Sequence, residues 1–171
     1  MSSFPDLEGT LPSEEDFGIL ERIALDLDTG AGRRPYAFAP IRTRPQRTYD
    51  PLKDEPRPEG SHVPMLLAKI YSSNPQQWEQ LRRSLGAFGK ASGLFSDVEV
   101  RRMGRKESDP FQIRVKIRGP AFNVVDVGYG VSQVLPIIVD CLREGKNSTF
   151  LLQQPEVHLH PRAQAELGSF L

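Results

Sequence analysis

An α/β domain with a mixed sheet and flanking helices is what this sequence predicts, on three observations. Phe111-Gln-Ile-Arg-Val-Lys-Ile-Arg118 alternates apolar and polar residues without a fault, the mark of an antiparallel strand with one wet face. Thr149-Phe-Leu-Leu152 is continuously apolar instead, the pattern of a strand buried on both faces of a parallel sheet. Around them run segments with helical spacing, such as Trp78, Leu81, Leu85 and Phe88 along one face.

The 171 residues suffice for one domain with a real core. Lys and Arg together number 22, matching the 22 of Asp and Glu, so no global charge draws the chain to nucleic acid or membrane. The lone cysteine, Cys141, excludes an internal disulfide framework and reads as a buried thiol in a reducing compartment. No apolar run approaches the roughly 18–20 residues that span a bilayer, and the first residues show no secretory pattern. The expectation is a cytoplasmic protein.

Residues 1–34 read as an N-terminal helical segment. Ser13 is its N-cap, Phe17, Leu20, Ile23, Ala24 and Leu27 form its stripe, and Thr29-Gly30 stops it. Residues 35–171 form the main domain. Pro35 to Pro40 fits a short strand between prolines, and Arg42 to Glu59, rich in Pro, Arg and Asp, is a long loop of the kind that is often functional. Pro64 to Tyr71 begins a helix, and Asn74-Pro75 begins another that Gly93 ends. Ser96 to Met103 and Phe122 to Val127 are extended. A helix follows from about Ser132 to Glu144, with Gly145 as its stop. Pro161 suits the first position of a last helix, whose apolar stripe is still running at Phe170-Leu171. That uncapped stripe is what a truncated or split protein would show.

Two segments carry candidate chemistry. In Asp126-Val-Gly-Tyr-Gly-Val-Ser-Gln-Val-Leu-Pro136, Gly128 and Gly130 let backbone amides approach a ligand. Ser132 can cap the helix behind them, and Ser132 with Gln133 at a helix N-terminus offers an anion site. The plainer reading is an ordinary glycine turn before a core helix. In the second segment a buried strand ends abruptly at Gln153-Gln154-Pro155-Glu156. Ligands of open α/β sheets bind at the carboxyl ends of strands. On strand and turn alone, a polar strand-to-loop transition explains this segment as well.

The run Gln154-Pro-Glu-Val-His-Leu-His-Pro161 shifts that balance, because it resembles the Walker B strand and following D-loop of ABC-type AAA ATPases of the OLD-like and AbiEii-like group. Asp126 to Pro136 is similar to their signature motif, and Ala39 to Pro51 with Pro58 to Pro64 resembles a further segment that they carry. The resemblance implies a partial P-loop NTPase, an ABC-type ATPase head, with a signature-like turn over 126–136, a Walker-B-like strand over 149–156 and a D-loop-like segment over 156–161. It implies ATP and Mg2+ as cofactors. Gly128, Gly130, Ser132, Gln133 and Gln153 would bind the cofactor, and Gln154, Glu156 and His158 would stand at the catalytic positions. It also implies partners: a homodimer closed around nucleotide, or a separate N-terminal ATPase half, with a protein effector besides.

Two departures qualify those expectations. The family normally has an acid where Gln153 stands, and an amide oxygen is a poorer magnesium ligand than a carboxylate. Gln154 cannot act as a general base, which leaves Glu156 as the nearby carboxylate, with Glu156 or His158 assisting a slow hydrolysis. Second, no Gly-x-x-x-x-Gly-Lys-Ser/Thr is present, and Gly86-Ala-Phe-Gly-Lys-Ala-Ser92 lies in a helical pattern rather than after a strand. A phosphate loop would have to come from upstream sequence or from another chain, and by itself this chain is expected to bind ATP very poorly.

Two further readings compete with these. A degenerate ATPase-derived interaction module without turnover fits the two glutamines, and a nucleic-acid-associated defence component is the other alternative. The basic loop of Arg33, Arg34, Arg42, Arg44 and Arg47 bears on the latter. Asp50, Asp54 and Glu55 follow closely, so a solvated, charge-balanced surface is preferred there over phosphate or nucleic-acid contact. His158 and His160 could ligate zinc only with a third ligand, for which His62 and Glu156 are candidates, and the D-loop reading is preferred.

Overall fold

The computed structural model describes residues 35–51, 55–144 and 148–171, which belong to one compact unit, Pro35–Leu171. The helix expected over Ser13 to Leu27 lies outside the described residues, as do Arg33 and Arg34.

The centre of the unit is a helix that is apolar nearly all round. Here named α3, it spans Tyr129–Glu144, and every residue from Gly130 to Asp140 is buried. A helix hydrophobic on all sides is stable in water only when other elements wrap it. Val134, Ile137, Ile138 and Val139 are fully covered, and each such side chain contributes roughly 1.5–3 kcal/mol of burial. Helices α1 (Val63–Ser73) and α2 (Pro75–Ser92) both pack on it, and α2 also carries α4 (Pro161–Phe170) on its flank.

Local sequence explains the boundaries of α2. Asn74 accepts a hydrogen bond from the Gln77 N–H at 3.0 Å, Pro75 follows it in the first turn, and Gly93 ends the helix in a left-handed conformation with φ 76°. The lysine-bearing run Gly86 to Ser92 lies wholly inside this helix. Its Gly89 is there for packing, since a Cβ would meet the Phe95 ring at 2.5 Å.

Strands β2 (Asp97–Arg102), β3 (Phe111–Lys116) and β4 (Ala121–Asn123) form an antiparallel meander, with Val100 opposite Ile113 and Val115 opposite Phe122. The alternation read in β3 is realised: Phe111, Ile113 and Val115 are buried while the residues between them are part-exposed. The wet face is charge-matched, with Arg82 Nε donating to Asp97 at 2.7 Å and Lys116 Nζ 2.5 Å from Glu99. Burial pushes the Asp97 carboxyl up, but Arg82 and Lys116 outweigh it and hold it below the usual carboxylate range.

Strands β1 (Tyr36–Phe38) and β5 (Phe150–Leu152) pair in parallel, Ala37 opposite Leu151. The sheet is thus not one mixed sheet but two, a parallel pair and an antiparallel meander. β5 is also not buried on both faces. Leu151 is 56% exposed and its neighbours are part-exposed, because among the described residues only β1 flanks the strand. Two other boundaries differ from the sequence reading. After Asn123 the chain turns into a 3-10 turn, Val124–Asp126, rather than staying extended to Val127. α3 begins at Tyr129, three residues before the expected start at Ser132, because the backbone after Gly128 already makes the helical bond from the Val131 N–H at 3.1 Å.

His62, weighed above as a metal ligand, is part of the core instead. Its Nδ1 accepts the Arg57 N–H at 3.1 Å, so the ring proton is on Nε2, which donates to Asp140 at 3.0 Å. Both side chains are nearly inaccessible, so this pair ties α1 to α3 through a buried polar contact. His62→Ala should lower stability by about 3 kcal/mol in urea titrations by leaving a buried carboxylate unpaired. Glu79→Ala, which removes an exposed helix-surface pair with Arg83, should cost under about 0.5 kcal/mol. Equal losses would contradict the assignment. Cys141 gives a pH test: burial and the nearby Asp140 push its thiol up to about 11. Its alkylation rate should keep rising about tenfold per pH unit beyond pH 9 in the folded protein, and should level off near 9 once the chain is unfolded.

Candidate functional site

Two loops meet at the N-terminal end of α3. The first leads into the helix. The Asn123 side chain caps the 3-10 turn by accepting the Val125 N–H at 3.1 Å, and donates to the Arg47 carbonyl at 2.8 Å. Arg47 in turn donates to Asp126 at 2.9 Å, and this hydrogen bond holds the Asp126 carboxyl below the usual carboxylate range. Gly128 follows, exposed and with open space where a side chain would be.

The second loop leaves β5. The Gln153 N–H donates to the Phe38 carbonyl at 3.3 Å, which ties the strand end to β1. Gln154 then adopts φ 47° and His158 φ 67°. Left-handed backbone at a residue other than glycine costs on the order of 1–3 kcal/mol and persists only where its surroundings enforce it. Here the enforcement is visible. The Leu159 N–H donates to the Glu156 carbonyl at 3.0 Å, the Leu159 side chain is buried, and His160 caps α4 by accepting the Ala163 N–H at 3.4 Å, with Pro161 next. Arg162 secures the start of α4 by donating to the Ala91 and Lys90 carbonyls at the C-terminus of α2, at 2.8 and 3.2 Å.

The loops touch. A Cβ on Gly130 would lie 2.9 Å from the His158 carbonyl oxygen and 3.3 Å from the Leu159 side chain. The Tyr129 ring meets the His158 imidazole edge-on, centroids 4.9 Å apart. Gln153, Gln154, Glu156, His158 and Gly128 are all exposed around this contact. The signature-like turn and the strand end, separate in sequence, therefore share one surface.

Ser132 and Gln133 are placed differently from the expectation. Because α3 starts earlier, Ser132 does not cap it; its hydroxyl donates to the Tyr129 carbonyl at 2.8 Å within the first turn. Gln133 is 1% exposed, with its side-chain oxygen accepting the Arg42 N–H at 3.2 Å. The Ser132 hydroxyl is thus spent on the helix's own first turn and the Gln133 side chain is turned into the core. The basic loop is also not a uniform solvated surface. Arg42 is 1% exposed, Arg47 is paired with Asp126, and Arg44 is exposed. Arg42 and Tyr129 are the residues that sequence reasoning did not assign to the site, and nothing in the local composition separates Arg42 from its exposed neighbours.

The donor set accommodates magnesium thinly. Magnesium takes one or two carboxylates together with substrate phosphates. Glu156 is the one carboxylate of the strand-end loop, and Gln153 offers a neutral oxygen. Among the described residues no three His, Cys, Asp or Glu side chains are grouped to hold a metal. A separate cavity of about 570 Å3 lies between the 43–61 loop, α1 and the Ser132–Pro136 turn of α3, and none of Gln153, Gln154, Glu156 or His158 lines it.

Gly130→Ala should force the His158 backbone outward, lower stability by about 2 kcal/mol and shift the amide resonances of His158 and Leu159. Gly128→Ala, two residues away in open space, should stay within about 0.5 kcal/mol. Matching effects of the two would contradict the contact.

Comparison with curated proteins and with solved structures returns no significant match. Against family profiles, the AAA domain of AbiEii toxin-like, type IV toxin–antitoxin proteins matches residues 10–171. That span covers nearly the whole chain and includes both loops of the site. The chain belongs to this AAA domain family, whose character is nucleotide-binding and ATPase-like.

Proposed function

We propose that this domain, with a phosphate loop supplied by upstream sequence or by another chain, binds ATP with Mg2+ as an ABC-type ATPase head, and that two heads close on nucleotide through the surface formed by Gly128, Tyr129 and the Gln153–His158 loop. The observation that carries the reading is the packing of the signature-like turn against the strand-end loop, at Gly130 on His158. That contact brings the turn that carries the open Gly128 backbone onto the strained, exposed His158, in the loop that leaves the carboxyl end of a parallel strand pair. Val125 and Tyr129 are 38% and 39% exposed beside them, as a face that meets a second copy requires.

In this reading Gly128 and its neighbours present backbone N–H groups to phosphate, Gln153 offers an oxygen toward the metal, and Glu156 or His158 assists the attacking water. Magnesium, when bound, would polarise the terminal phosphate. Turnover is slow, because amides occupy the two places after Leu152 where carboxylates would otherwise act. Those same amides, Gln153 and Gln154, favour a second reading: a head that binds nucleotide and partners but does not hydrolyse.

The two readings separate in one set of assays on the intact protein. Mg-ATP should raise the sedimentation coefficient from that of a monomer to that of a dimer, and Glu156→Gln should abolish turnover while leaving the dimer intact. Turnover unchanged by Glu156→Gln would contradict the catalytic assignment. Sedimentation indifferent to Mg-ATP would contradict the nucleotide-closed dimer.

A further inference from the structure

Arg42 is the one buried arginine among the described residues, and it has no acceptor. Its Nε, Nη1 and Nη2 are all inaccessible and make no hydrogen bond, and the Nε2 of Gln133 beside it is in the same position. A guanidinium brings five N–H donors and a fixed positive charge. Leaving such a group buried and unmatched is among the costliest things a fold can do. Gln133 is not the answer, since its oxygen is taken by the Arg42 backbone N–H and its nitrogen adds donors rather than acceptors. The pair is therefore a built cluster of donors that calls for an oxyanion.

The anion whose charge acts on this guanidinium, Glu156, is on the strand-end loop. β1 and β5 run parallel and adjacent, and Arg42 and Glu156 follow their respective carboxyl ends at the same remove, beyond Phe38 and beyond Leu152. Glu156 is exposed, its side chain makes no hydrogen bond to the described residues, and its charge acts on the Arg42 guanidinium. Two left-handed residues, Gln154 and His158, stand two positions to either side of it. The Glu156 backbone is held, its carbonyl accepting the Leu159 N–H at 3.0 Å, so the carboxylate reorients by rotation of its own unbonded side chain without disturbing β5 or α4.

We infer that Arg42 is a positioning residue for Glu156: its guanidinium, backed by the Gln133 amide, is the buried cation onto which the Glu156 carboxylate closes. Fork geometry suits the two carboxylate oxygens, and the Gln133 N–H can serve the outer lone pair of one of them. Burial lowers the Arg42 pKa while Glu156 opposes that shift, the sense expected of such partners. The consequence is orientation. Glu156 is drawn toward β1 and away from solvent unless a ligand at the strand end competes for it, so the aim of the strand-end loop's one carboxylate is set by a residue more than 100 positions earlier in the chain.

This inference rests on reading Glu156 as the carboxylate of the nucleotide site, but its test reads the pair without nucleotide, so either can fail alone. Arginine-15N NMR of the intact protein should show one slowly exchanging Nε–Hε signal, assigned to Arg42 by its absence in Arg42→Lys, or by through-bond correlation if that variant does not fold. Glu156→Gln, a change at an exposed position, should shift this signal and speed its exchange by about tenfold or more, the loss of one charge-assisted hydrogen bond. Glu156→Asp should fall between. A signal that Glu156→Gln leaves unmoved overturns the inference. So does one that responds instead to millimolar inorganic phosphate, which would make the donors a site for a ligand's oxyanion.

Discussion

The close approach of Gly130 to the His158 carbonyl is the constraint on which the site depends. Only a hydrogen fits between the first turn of α3 and the loop that follows β5. With any larger residue there the loop would have to retreat, and the edge-on contact of Tyr129 with His158 would go with it. The loop is not free to retreat. Leu159 is buried in the core, His160 and Pro161 open α4, and Arg162 is fastened to the end of α2. The left-handed backbone at Gln154 and His158 is what this fastening costs, and the rigid helices on either side sustain it.

Those helices are rigid because α3 is enclosed. Its faces are covered by α1 and α2, and a polar link across the core, His62 to Asp140, is paired. A helix so placed can hold its N-terminus still, which a phosphate-facing turn needs, since binding donors must be in position before the ligand arrives. The antiparallel meander has a different role. It supplies Val98, Phe111, Ile113 and Val115 to the core and lends no residue to the candidate site. Arg42 and the Gln133 amide nitrogen are the exceptions to a well-satisfied interior among the described residues, and they lie next to the site rather than away from it.

Much of this architecture was legible in the sequence. β3 announced itself through Phe111, Ile113 and Val115, α2 through Asn74-Pro75 and Gly93, and α4 through Pro161, because each rests on local chemistry: pleat alternation, capping and the fixed φ of proline. The family was legible through the resemblance of Asp126–Pro136 and Gln154–Pro161 to its motifs, and the family match over residues 10–171 agrees. What escaped was tertiary. Ser132 looked like a cap because serine is a favoured N-cap residue, yet the helix had already begun at Tyr129. Leu151 looked buried because an apolar run usually is, yet only β1 flanks it here. Arg42 looked solvated because its neighbours are, and only long-range packing against Gln133 reveals otherwise.

The central claim is that the turn before α3 and the loop after β5 act as one phosphate-facing surface. Hydrogen–deuterium exchange of the intact protein with and without saturating Mg-ATP tests it most directly. Peptides covering 126–131 and 153–160 should gain protection together, while those covering 43–50 and 60–67, which line the separate cavity, should not change. Protection confined to that cavity, or gained by one of the two segments without the other, would contradict the account.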